Sequence, residues 1–560
     1  MRTALLTRLL FLSVLQHLCS ALSLTCLEYP YPHNPRISIQ VDCSPLQTQP
    51  QAQKAAAALP SASSRSSGAR SSALASATIS LISQASLAPI ADGLRSPVSS
   101  ILQEPALPAP VANQDATNRF VFDISCPASY GAANCADANA TLYLAGGLIS
   151  NILQLSAPIL VNATLTSFCS TLGICDEGGT ITSLAAASPA RNIPLVDDDG
   201  IVRYYPQAVV KQMASYFPQQ PQLGAYDINL NVNAQASFYF SGRAAGRPAP
   251  AAIKSTQTDF FFVVMHELMH GLGFTSSYED YFHPSSPSTV TPNVRIFVTE
   301  SNGKQGLEFA GFSEYAFDRF VQVNGTLLTG STVANMNTRL FAETSGRLFA
   351  NETDLATYFT TQSPVADVAR RLAQSFVKRY TTTLALLPGI LSNRTSSNST
   401  ANLVLETGIV PFSAGSSVSH VAADLYDRTP DFLMRFEVVK GATLQSYITS
   451  AVQAAQGSAN AARVASDAAI YGALGPGLRA VLAGIGYRVR GGVGSLQPIV
   501  NTAVVTTSMP VNGATATGSA VSGGAVPATT GRVTASGATA TVASSWTFLG
   551  WLLFLSSMAI

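Results

Sequence analysis

The sequence predicts an α+β body with a mixed β-sheet and one buried helix, flanked on both sides by low-complexity segments. Strand-like runs begin at about Asn118, and one of them alternates apolar and polar residues. The segment 260–265 is apolar on every side, which predicts a helix inside the core. Ala, Ser, Thr, Gly and Pro dominate most of the remaining chain. We therefore expect the folded body to cover about 118–490.

The overall composition excludes several classes of protein. The chain has 560 residues, which is enough for two or three domains and a sizeable core. Its 32 Lys and Arg residues nearly balance 31 Asp and Glu residues, whereas a nucleic-acid-binding protein needs a basic surplus to displace counterions from phosphates. The mean hydropathy is +0.24, yet only the two ends carry apolar runs. The sequence thus excludes a polytopic membrane protein and predicts no nucleic-acid partner.

The two ends of the chain are typical of targeting signals. Residues 1–23 contain two arginines, an apolar stretch and small residues near the end, as in a cleaved signal peptide. An N-terminal anchor helix is the alternative. Residues 546–560 form an apolar tail after a small-residue site and a polar spacer, which indicates a GPI-anchor signal, with a single transmembrane helix as the competing interpretation. We expect a lipid-anchored protein on the extracellular face of the cell surface or cell wall.

The segments between these ends differ in composition. Residues 24–117 contain two cysteines and an Ala/Ser-rich stretch, which we interpret as a linker or pro-segment, and 491–545 predict a Ser/Thr/Gly/Ala-rich stalk. Six cysteines follow the signal peptide, an even number that predicts up to three disulfides among 15 possible pairings. Six N-x-[ST] sequons predict a glycoprotein. Their acceptor residues are Asn139, Asn162, Asn324, Asn351, Asn393 and Asn398.

Three strand-like segments lie in the first half of the body. They cover 119–124, 158–168 and 226–233. The third alternates strictly between apolar and polar residues, which predicts a half-buried strand. We expect this strand to lie beside a cleft and to bind a substrate backbone by strand addition. An ordinary surface strand is the alternative.

The strongest chemical signal is the motif H-E-x-x-H within the apolar helix. His266 and His270 are one helical turn apart, so both imidazoles can bind one zinc ion. Glu267 lies about 100° round the helix, where it can reach a water molecule held by the metal. Thr256 and Asp259 predict a capping box at the helix start. Because buried His and Glu side chains are costly unless they are paired or coordinating, the motif indicates a metal site.

A catalytic zinc needs a third protein ligand and an open position for water. Outside the motif, the chain after the signal peptide contains only His33, His283 and His420. The common extended motif H-E-x-x-H-x-x-G-x-x-H would place the third His at Ser276, although Gly273 is present at the turn position. The alternatives to a third His are carboxylates, for which the candidates are Glu300, Glu308 and Glu314.

The segment from His266 to Phe274, followed later by Ser419-His420 and by Phe432-Leu433-Met434, resembles the leishmanolysin branch of the metzincin zinc proteases. The resemblance implies a metzincin-like fold, one catalytic Zn²⁺, His420 as the third ligand and Met434 as the Met-turn residue. The 441–444 and 478–485 segments are similar to the terminal helical region of such domains. Here the insertion before His420 is longer than is usual in that branch, and no cysteine follows position 175.

These observations predict a zinc metalloendopeptidase, a hydrolase that cleaves peptide bonds in extracellular proteins. A zinc-activated water is the nucleophile and Glu267 is the general base. The expected partners are protein or peptide substrates and the membrane, through the C-terminal lipid anchor. The alternative is a cell-surface adhesion or wall glycoprotein that uses an inactive metzincin-like scaffold, which the stalk, sequons and anchor favour. Because an adhesion protein has no need of the general base, the intact motif favours the enzyme.

Overall fold

The secondary structure of the chain mixes strands and helices. The computed structural model describes residues 26–28, 39–41, 118–172, 183–197, 199–217, 221–282, 289–301, 304–385 and 402–490. The strands are β1 (Cys26–Glu28), β2 (Ile39–Val41), β3 (Phe120–Ser125), β4 (Ile159–Thr166), β5 (Ala185–Pro189), β6 (Arg191–Val196), β7 (Val202–Pro206), β8 (Ile228–Asn233), β9 (Phe238–Tyr239), β10 (Thr258–Asp259), β11 (Asn293–Ser301), β12 (Lys304–Tyr315), β13 (Val321–Val323), β14 (Thr326–Leu327), β15 (Thr382–Leu384) and β16 (Leu403–Val404). The helices are α1 (Ala132–Ile152), α2 (Phe168–Leu172), α3 (Gln207–Gln212), α4 (Phe260–Gly271), α5 (Ser331–Thr344), α6 (Glu352–Gln362), α7 (Val365–Phe376), α8 (Ala423–Tyr426), α9 (Leu444–Ala454), α10 (Ala461–Tyr471) and α11 (Pro476–Ile485).

A four-stranded sheet in the order β3-β4-β8-β5 carries the helix of the motif. Strands β3, β4 and β8 are parallel, and β5 pairs with β8 in the antiparallel direction. The three strand segments that the sequence predicted correspond to β3, β4 and β8. The α+β class and the mixed sheet are therefore confirmed.

Helices α1 and α4 pack against the inner face of this sheet. Alternate residues of β4, such as Val161 and Ala163, are fully buried on that face. Helix α4 is buried along its whole length, as its apolar sequence predicted. A Cβ atom at Gly271 would lie 2.4 Å from Ile228 Cγ2, so only glycine allows the end of the helix to approach β8 this closely.

A second sheet has six strands in the order β11-β12-β7-β6-β1-β2. Its strands β1 and β2 come from the segment that we interpreted as a linker or pro-segment. Leu27 and Glu28 of β1 pair with Asn192 and Arg191 of β6. At least this part of the N-terminal segment therefore forms a β-hairpin on the body.

A buried ion network joins two strands of the second sheet, β7 and β12, the latter from the long segment after α4. Arg203 on β7 is the register partner of Glu314 on β12, and its Nε lies 3.6 Å from a Glu314 carboxylate oxygen. The same guanidinium donates to Asp197 and, at 2.8 Å, to Asp199. Because Arg203 and two of these carboxylates are almost inaccessible to water, each charge depends on its partners for compensation.

The segment between α4 and His420 is a folded insertion. It contains the β11–β12 hairpin, helices α5 to α7 and a four-stranded sheet in the order β14-β13-β15-β16. The Leu405–Val421 bridge pairs the chain that follows β16 with the chain that follows His420. The insertion thus returns the chain to α4 after about 150 residues.

Disulfides occur in the first part of the body, as the cysteine distribution predicted. Cys126 after β3 is bonded to Cys135 in α1, with Cα atoms 6.2 Å apart. Cys169 is also disulfide-bonded. Cys43 and Cys175 lie outside the described residues.

Several predicted segments lie outside the part of the chain that the structure describes. They are the signal peptide 1–23, most of 24–117, the stalk 491–545 and the apolar tail 546–560. Among the described helices none alone has the length and apolar character to cross a bilayer, although α10 and α11, bent by 54°, meet these criteria as a pair.

Candidate metal centre

Three histidine side chains converge at one point in the interior. His266 and His270 lie one turn apart on α4, and His420 approaches them from the end of the insertion. The Nε2 atoms are 3.1 Å apart for His266 and His270, 3.1 Å for His266 and His420, and 3.2 Å for His270 and His420. Three corners of a tetrahedral zinc site with Zn–N distances of 2.0–2.1 Å are about 3.3 Å apart. The spacing therefore matches three ligands of one ion.

Each imidazole is oriented by a hydrogen bond on its other ring nitrogen. The Nδ1 of His266 donates to the carbonyl of Leu433 at 2.8 Å. The Nδ1 of His270 donates to Phe274 at 2.7 Å. The Nδ1 of His420 donates to Ser416 at 2.9 Å. With the proton on Nδ1, every Nε2 presents a lone pair to the shared point.

This donor set fits a zinc ion. The three side chains are at most 8% exposed, and burial lowers the pKa of each imidazole, to about 4 for His270. The histidines are therefore neutral at physiological pH. Three neutral lone pairs that face one another at close range repel unless a cation lies between them, and imidazole nitrogen is a preferred ligand of zinc.

Glu267 lies beside the histidines on α4 and is 3% exposed. Its carboxylate accepts a hydrogen bond from the backbone N–H of Ala187 on β5. Burial raises the pKa of Glu267 to about 8, whereas a cation among the adjacent imidazoles would favour the ionised form. The motif thus places a carboxylate between the histidine cluster and the edge strand of the sheet.

The end of α4 is shaped by Gly273, as the sequence predicted. Gly273 has φ +108°, and a Cβ atom there would also lie 2.6 Å from Pro206 Cγ. The N–H of Phe274 donates to Met269 and that of Gly273 to His270, which is a Schellman arrangement. This turn brings the Phe274 carbonyl to the His270 ring. The glycine therefore fixes the orientation of the His270 ring as well as the end of the helix.

The start of α4 differs from the sequence prediction. Asp259 itself is the N-cap and accepts from the N–H of Phe261, so the predicted capping box from Thr256 to Asp259 is wrong. The reason is that Thr258 and Asp259 form β10, and the helix begins only after this strand. The second carboxylate oxygen of Asp259 accepts from the N–H of Leu444 at 2.7 Å, which attaches α9 to the helix start.

The position of Ser276 explains how the end of the inserted segment is held so that His420 lies beside α4. The backbone N–H of Ser276 donates to Ser419 Oγ at 3.0 Å, so the residue before His420 is bound where the extended motif would have had its third His. The Oγ of Ser276 donates to buried Asp318, which also accepts from the N–H of Ser277 and Tyr315. The Asp318 carboxylate thus binds the start of the insertion, at Ser276 and Ser277, to the end of β12 at Tyr315.

The predicted Met-turn residue lies in a short 3₁₀ turn, Phe432–Met434. The side chain of Met434 is fully buried. The carbonyl of Leu433 orients His266, and the carbonyl of Met434 accepts from the N–H of Val421 at 2.8 Å. The turn is therefore attached to both halves of the histidine cluster through its backbone.

The alternative third ligands are placed elsewhere or are not described. His33 and His283 lie outside the described residues, and so does the side chain of Glu300. Glu314 belongs to the Arg203 ion network. Among the described residues, the convergent group of three or more metal-ligating side chains consists of His266, His270 and His420, without Glu308.

The interpretation of the alternating strand as a substrate-binding strand is wrong. This strand, β8, pairs with β4 on one side and β5 on the other, so its backbone has no edge for a substrate. Strand β5 is the edge strand next to the histidines. The alternation of apolar and polar residues correctly indicated that one face of β8 is polar. It does not determine the order of the strands in the sheet.

Four of the six predicted glycosylation sites are described. Asn324 and Asn351 are exposed, and Asn139 and Asn162 are half-buried on α1 and β4. Asn351 also caps α6 by accepting from the N–H of Asp354 at 2.9 Å. Asn393 and Asn398 lie outside the described residues.

Sequence reasoning missed the groups that act through their backbone. These are the N–H of Ala187 and the carbonyls of Phe274, Ser416 and Leu433. It also missed Asp318. No sequence signal marks a backbone group, because every residue carries a carbonyl and nearly every residue carries an N–H.

Comparison with known proteins gives a family and a relative. Residues 79–519 match the profile of the SPBPB7E8-like family, which is more than half of the chain. A protein of Schizosaccharomyces pombe, named Uncharacterized protein PB7E8.01, is 33% identical over 396 residues. The match covers 68% of this chain and 64% of the relative, less than two thirds of its length. No solved structure matches the chain. This chain belongs to the SPBPB7E8-like family.

Proposed function

We propose that this protein is a zinc-dependent metalloendopeptidase with a metzincin-like catalytic domain. The observation that carries the proposal is the convergence of three buried Nε2 atoms beside a buried glutamate. Each of the three rings is held with its lone pair inward by a carbonyl on Nδ1. A structural zinc site normally has four protein ligands, whereas three ligands and a nearby carboxylate are typical of a hydrolytic site.

His266, His270 and His420 would hold the ion, and zinc bound there would acidify a water molecule and polarise the substrate carbonyl. Glu267 accepts the proton of the attacking water and then donates it to the amine nitrogen as the peptide C–N bond breaks. The N–H of Ala187 orients the Glu267 carboxylate before the reaction. The buried, water-poor surroundings strengthen each of these electrostatic contacts.

The edge strand β5 is the surface that would hold the substrate. It is antiparallel to β8 and lies at the end of the sheet nearest α4. A peptide in extended form can add to such an edge through backbone hydrogen bonds, which supply affinity with little dependence on sequence. Half-buried Ala186 has a small side chain, whereas Ala185 and Ala187 pack against the core. Together with the predicted signal peptide and lipid anchor, these features support proteins outside the cell as substrates.

The deciding experiment compares the purified ectodomain with its Glu267→Gln variant. We expect one zinc ion per chain in both proteins and cleavage of an unfolded protein substrate by the wild type only, with a loss of at least about 100-fold in the variant. Equal cleavage by both proteins, or wild-type protein without zinc, would contradict the proposal. Zinc without cleavage would favour the adhesion scaffold.

The ligand assignment has its own matched pair of variants. His420→Ala should lose zinc, because two histidines alone do not complete a catalytic site. His283→Ala should keep both zinc and activity. The opposite result would transfer the third ligand to His283. Zinc content is measured by atomic emission on protein whose folding has been checked by circular dichroism.

A further inference from the structure

The outer face of the four-stranded sheet, opposite α1 and α4, carries Val121 and Leu160 near the strand starts and a group of small polar side chains beyond them. Asp123, Asn162 and Asn229 are consecutive register partners on β3, β4 and β8, and Thr164 and Asn231 form the next row. We call these five residues the polar sheet face. Asp123 is exposed and the other four are half-buried, and none is cationic. This surface offers amide, hydroxyl and carboxylate groups in a flat array.

An aromatic ring crosses this face. Tyr226 lies just before β8, and its hydroxyl donates to Asp123 on β3. Because β4 lies between β8 and β3, the phenol must pass over β4. The register partner of Asp123 on β4 is Asn162, so the hydroxyl end of the phenol reaches the row of the sheet that contains Asn162. Tyr226 is itself partly exposed, which leaves an apolar ring surface open above the sheet.

Asn162 is the acceptor of the sequon Asn162-Ala163-Thr164, and both polar residues of this sequon point to the outer face. The Nδ2 of Asn162 donates to Asn229 Oδ1 at 3.3 Å. An N-linked asparagine keeps one N–H, so this hydrogen bond is compatible with a sugar on the same nitrogen. The Asn324 sequon differs, because it lies in the exposed turn between β13 and β14.

We propose that Asn162 carries an N-glycan whose first N-acetylglucosamine is seated on the polar sheet face and stabilises the fold. The Tyr226 ring packs against the sugar ring, and the amide and hydroxyl groups of Asn229 and Thr164 pair with its polar groups. In the linkage step, Nδ2 bonds to C1 of a lipid-diphosphate-linked oligosaccharide, the C1–O bond to the diphosphate breaks, and one Nδ2 proton is released. The inference is independent of the proteolytic site.

A sugar that packs on this face stabilises the folded chain only, because the unfolded chain has no such face. The glycan at Asn324 has no comparable platform and therefore serves as the internal control. Removal of the sugar at Asn162 should lower the melting temperature, and removal at Asn324 should not.

The test uses the ectodomain secreted from a yeast host, with and without an inhibitor of N-glycosylation. Mass spectrometry of glycopeptides should show Asn162 occupied. Thr164→Val, which removes the sequon and keeps a β-branched residue, should lower the melting temperature by about 2–4 °C in the glycosylated protein. In protein made with the inhibitor, Thr164→Val and the wild type should melt together. The matched variant Thr326→Val, which removes the Asn324 sequon, should not change the melting temperature.

Two further measurements make the proposal falsifiable. Trimming the glycans to a single N-acetylglucosamine with an endoglycosidase should leave the melting temperature unchanged, because only the first sugar contacts the face. Tyr226→Ala should abolish the difference between glycosylated and unglycosylated protein. An empty Asn162, or an equal effect of Thr164→Val with and without the inhibitor, would overturn the proposal.

Discussion

The chemistry of single residues in the candidate metal centre depends on hydrogen bonds that lie one step away from the ligands. Ser419 is an example, because its Oγ receives the N–H of Ser276 and so fixes the backbone beside His420. Ser416 contacts the His420 ring as well, but through its carbonyl. The two serines therefore support the same histidine by different groups, one in the side chain and one in the backbone.

We predict that Ser419→Ala weakens zinc binding about 10-fold, since partners that orient metal ligands contribute about this much affinity. Ser416→Ala keeps the carbonyl and should bind zinc like the wild type. A competition titration with a chromophoric chelator measures both affinities. Equal losses of zinc affinity in the two variants would contradict the prediction that only the Ser419 hydroxyl supports His420.

Among the elements, α4 is fixed at both ends. Asp259 at its start accepts from two backbone N–H groups, on α4 and on α9. Gly271 and Gly273 at its end allow close contact with β8 and with Pro206. The helix that carries His266, Glu267 and His270 is thereby held in one position against the sheet.

The close contact at Gly271 predicts a stability difference between two glycines in helices. Gly271→Ala should lower the free energy of unfolding by about 1–3 kcal/mol, because the added methyl group meets Ile228. A Cβ atom at Gly147 in α1 would have only an ordinary contact, with Asn118 at 3.7 Å. Gly147→Ala should therefore raise the free energy of unfolding by about 0.5–1 kcal/mol. Urea denaturation measures both, and a destabilising Gly147→Ala would contradict this reading of the contacts.

Asp259 predicts a pH dependence of stability. Burial raises its pKa in the folded protein from 3.8 to about 6, against two backbone hydrogen bonds that lower it. At pH values between 3.8 and about 6, the Asp259 carboxyl binds more protons in the folded state than in the unfolded state. The contribution of Asp259 to the free energy of unfolding therefore falls as the pH rises. The free energy of unfolding of Asp259→Asn, minus that of the wild type, should therefore rise by about 3 kcal/mol from pH 3.5 to pH 7. Urea denaturation at several pH values would detect the trend, and a constant difference would contradict it.

At the scale of the whole molecule, the Arg203 network connects β12 of the insertion to β7 within the second sheet. Replacement of Arg203 by Met leaves the buried carboxylate of Glu314 without its cation and that of Asp197 with Arg319 as its remaining cationic partner. We expect a loss of about 3–5 kcal/mol in the free energy of unfolding. The control is Arg370→Met, which breaks a surface pair with Asp367 and should cost at most about 1 kcal/mol. Similar losses in both variants, measured by urea denaturation, would show that burial does not decide the cost.

The sequence predicted the parts of this molecule that local periodicity determines. His266, Glu267 and His270 fall within five residues, and helical geometry fixes their relative positions. The alternating pattern of 226–233 likewise located β8. It failed to show that β5 is the edge strand, because strand order depends on pairing between distant segments. The Ala-Ala-Ala-Ser-Pro sequence of β5 also lacks the β-branched and aromatic residues that mark a strand.

No local sequence pattern identified His420. Its expected role as the third zinc ligand came from the resemblance to the leishmanolysin branch. The structure brings its Nε2 to the other two histidines across a separation of 150 residues. That position depends on the insertion, whose length the sequence showed but whose internal fold it did not reveal. The role of Met434 stays a prediction, although its backbone lies beside the cluster.

The return of the insertion to α4 has a consequence for the order of folding. A contact between residues 150 positions apart has a high loop-closure cost, so it forms late compared with the helix that carries the first two histidines. Of the three clustered histidines, the nascent chain presents only His266 and His270 until β11 to β16 and the intervening helices are complete. Tight binding of the proposed zinc ion should therefore mark the last stage of folding, and chains that stop within the insertion should not retain the metal.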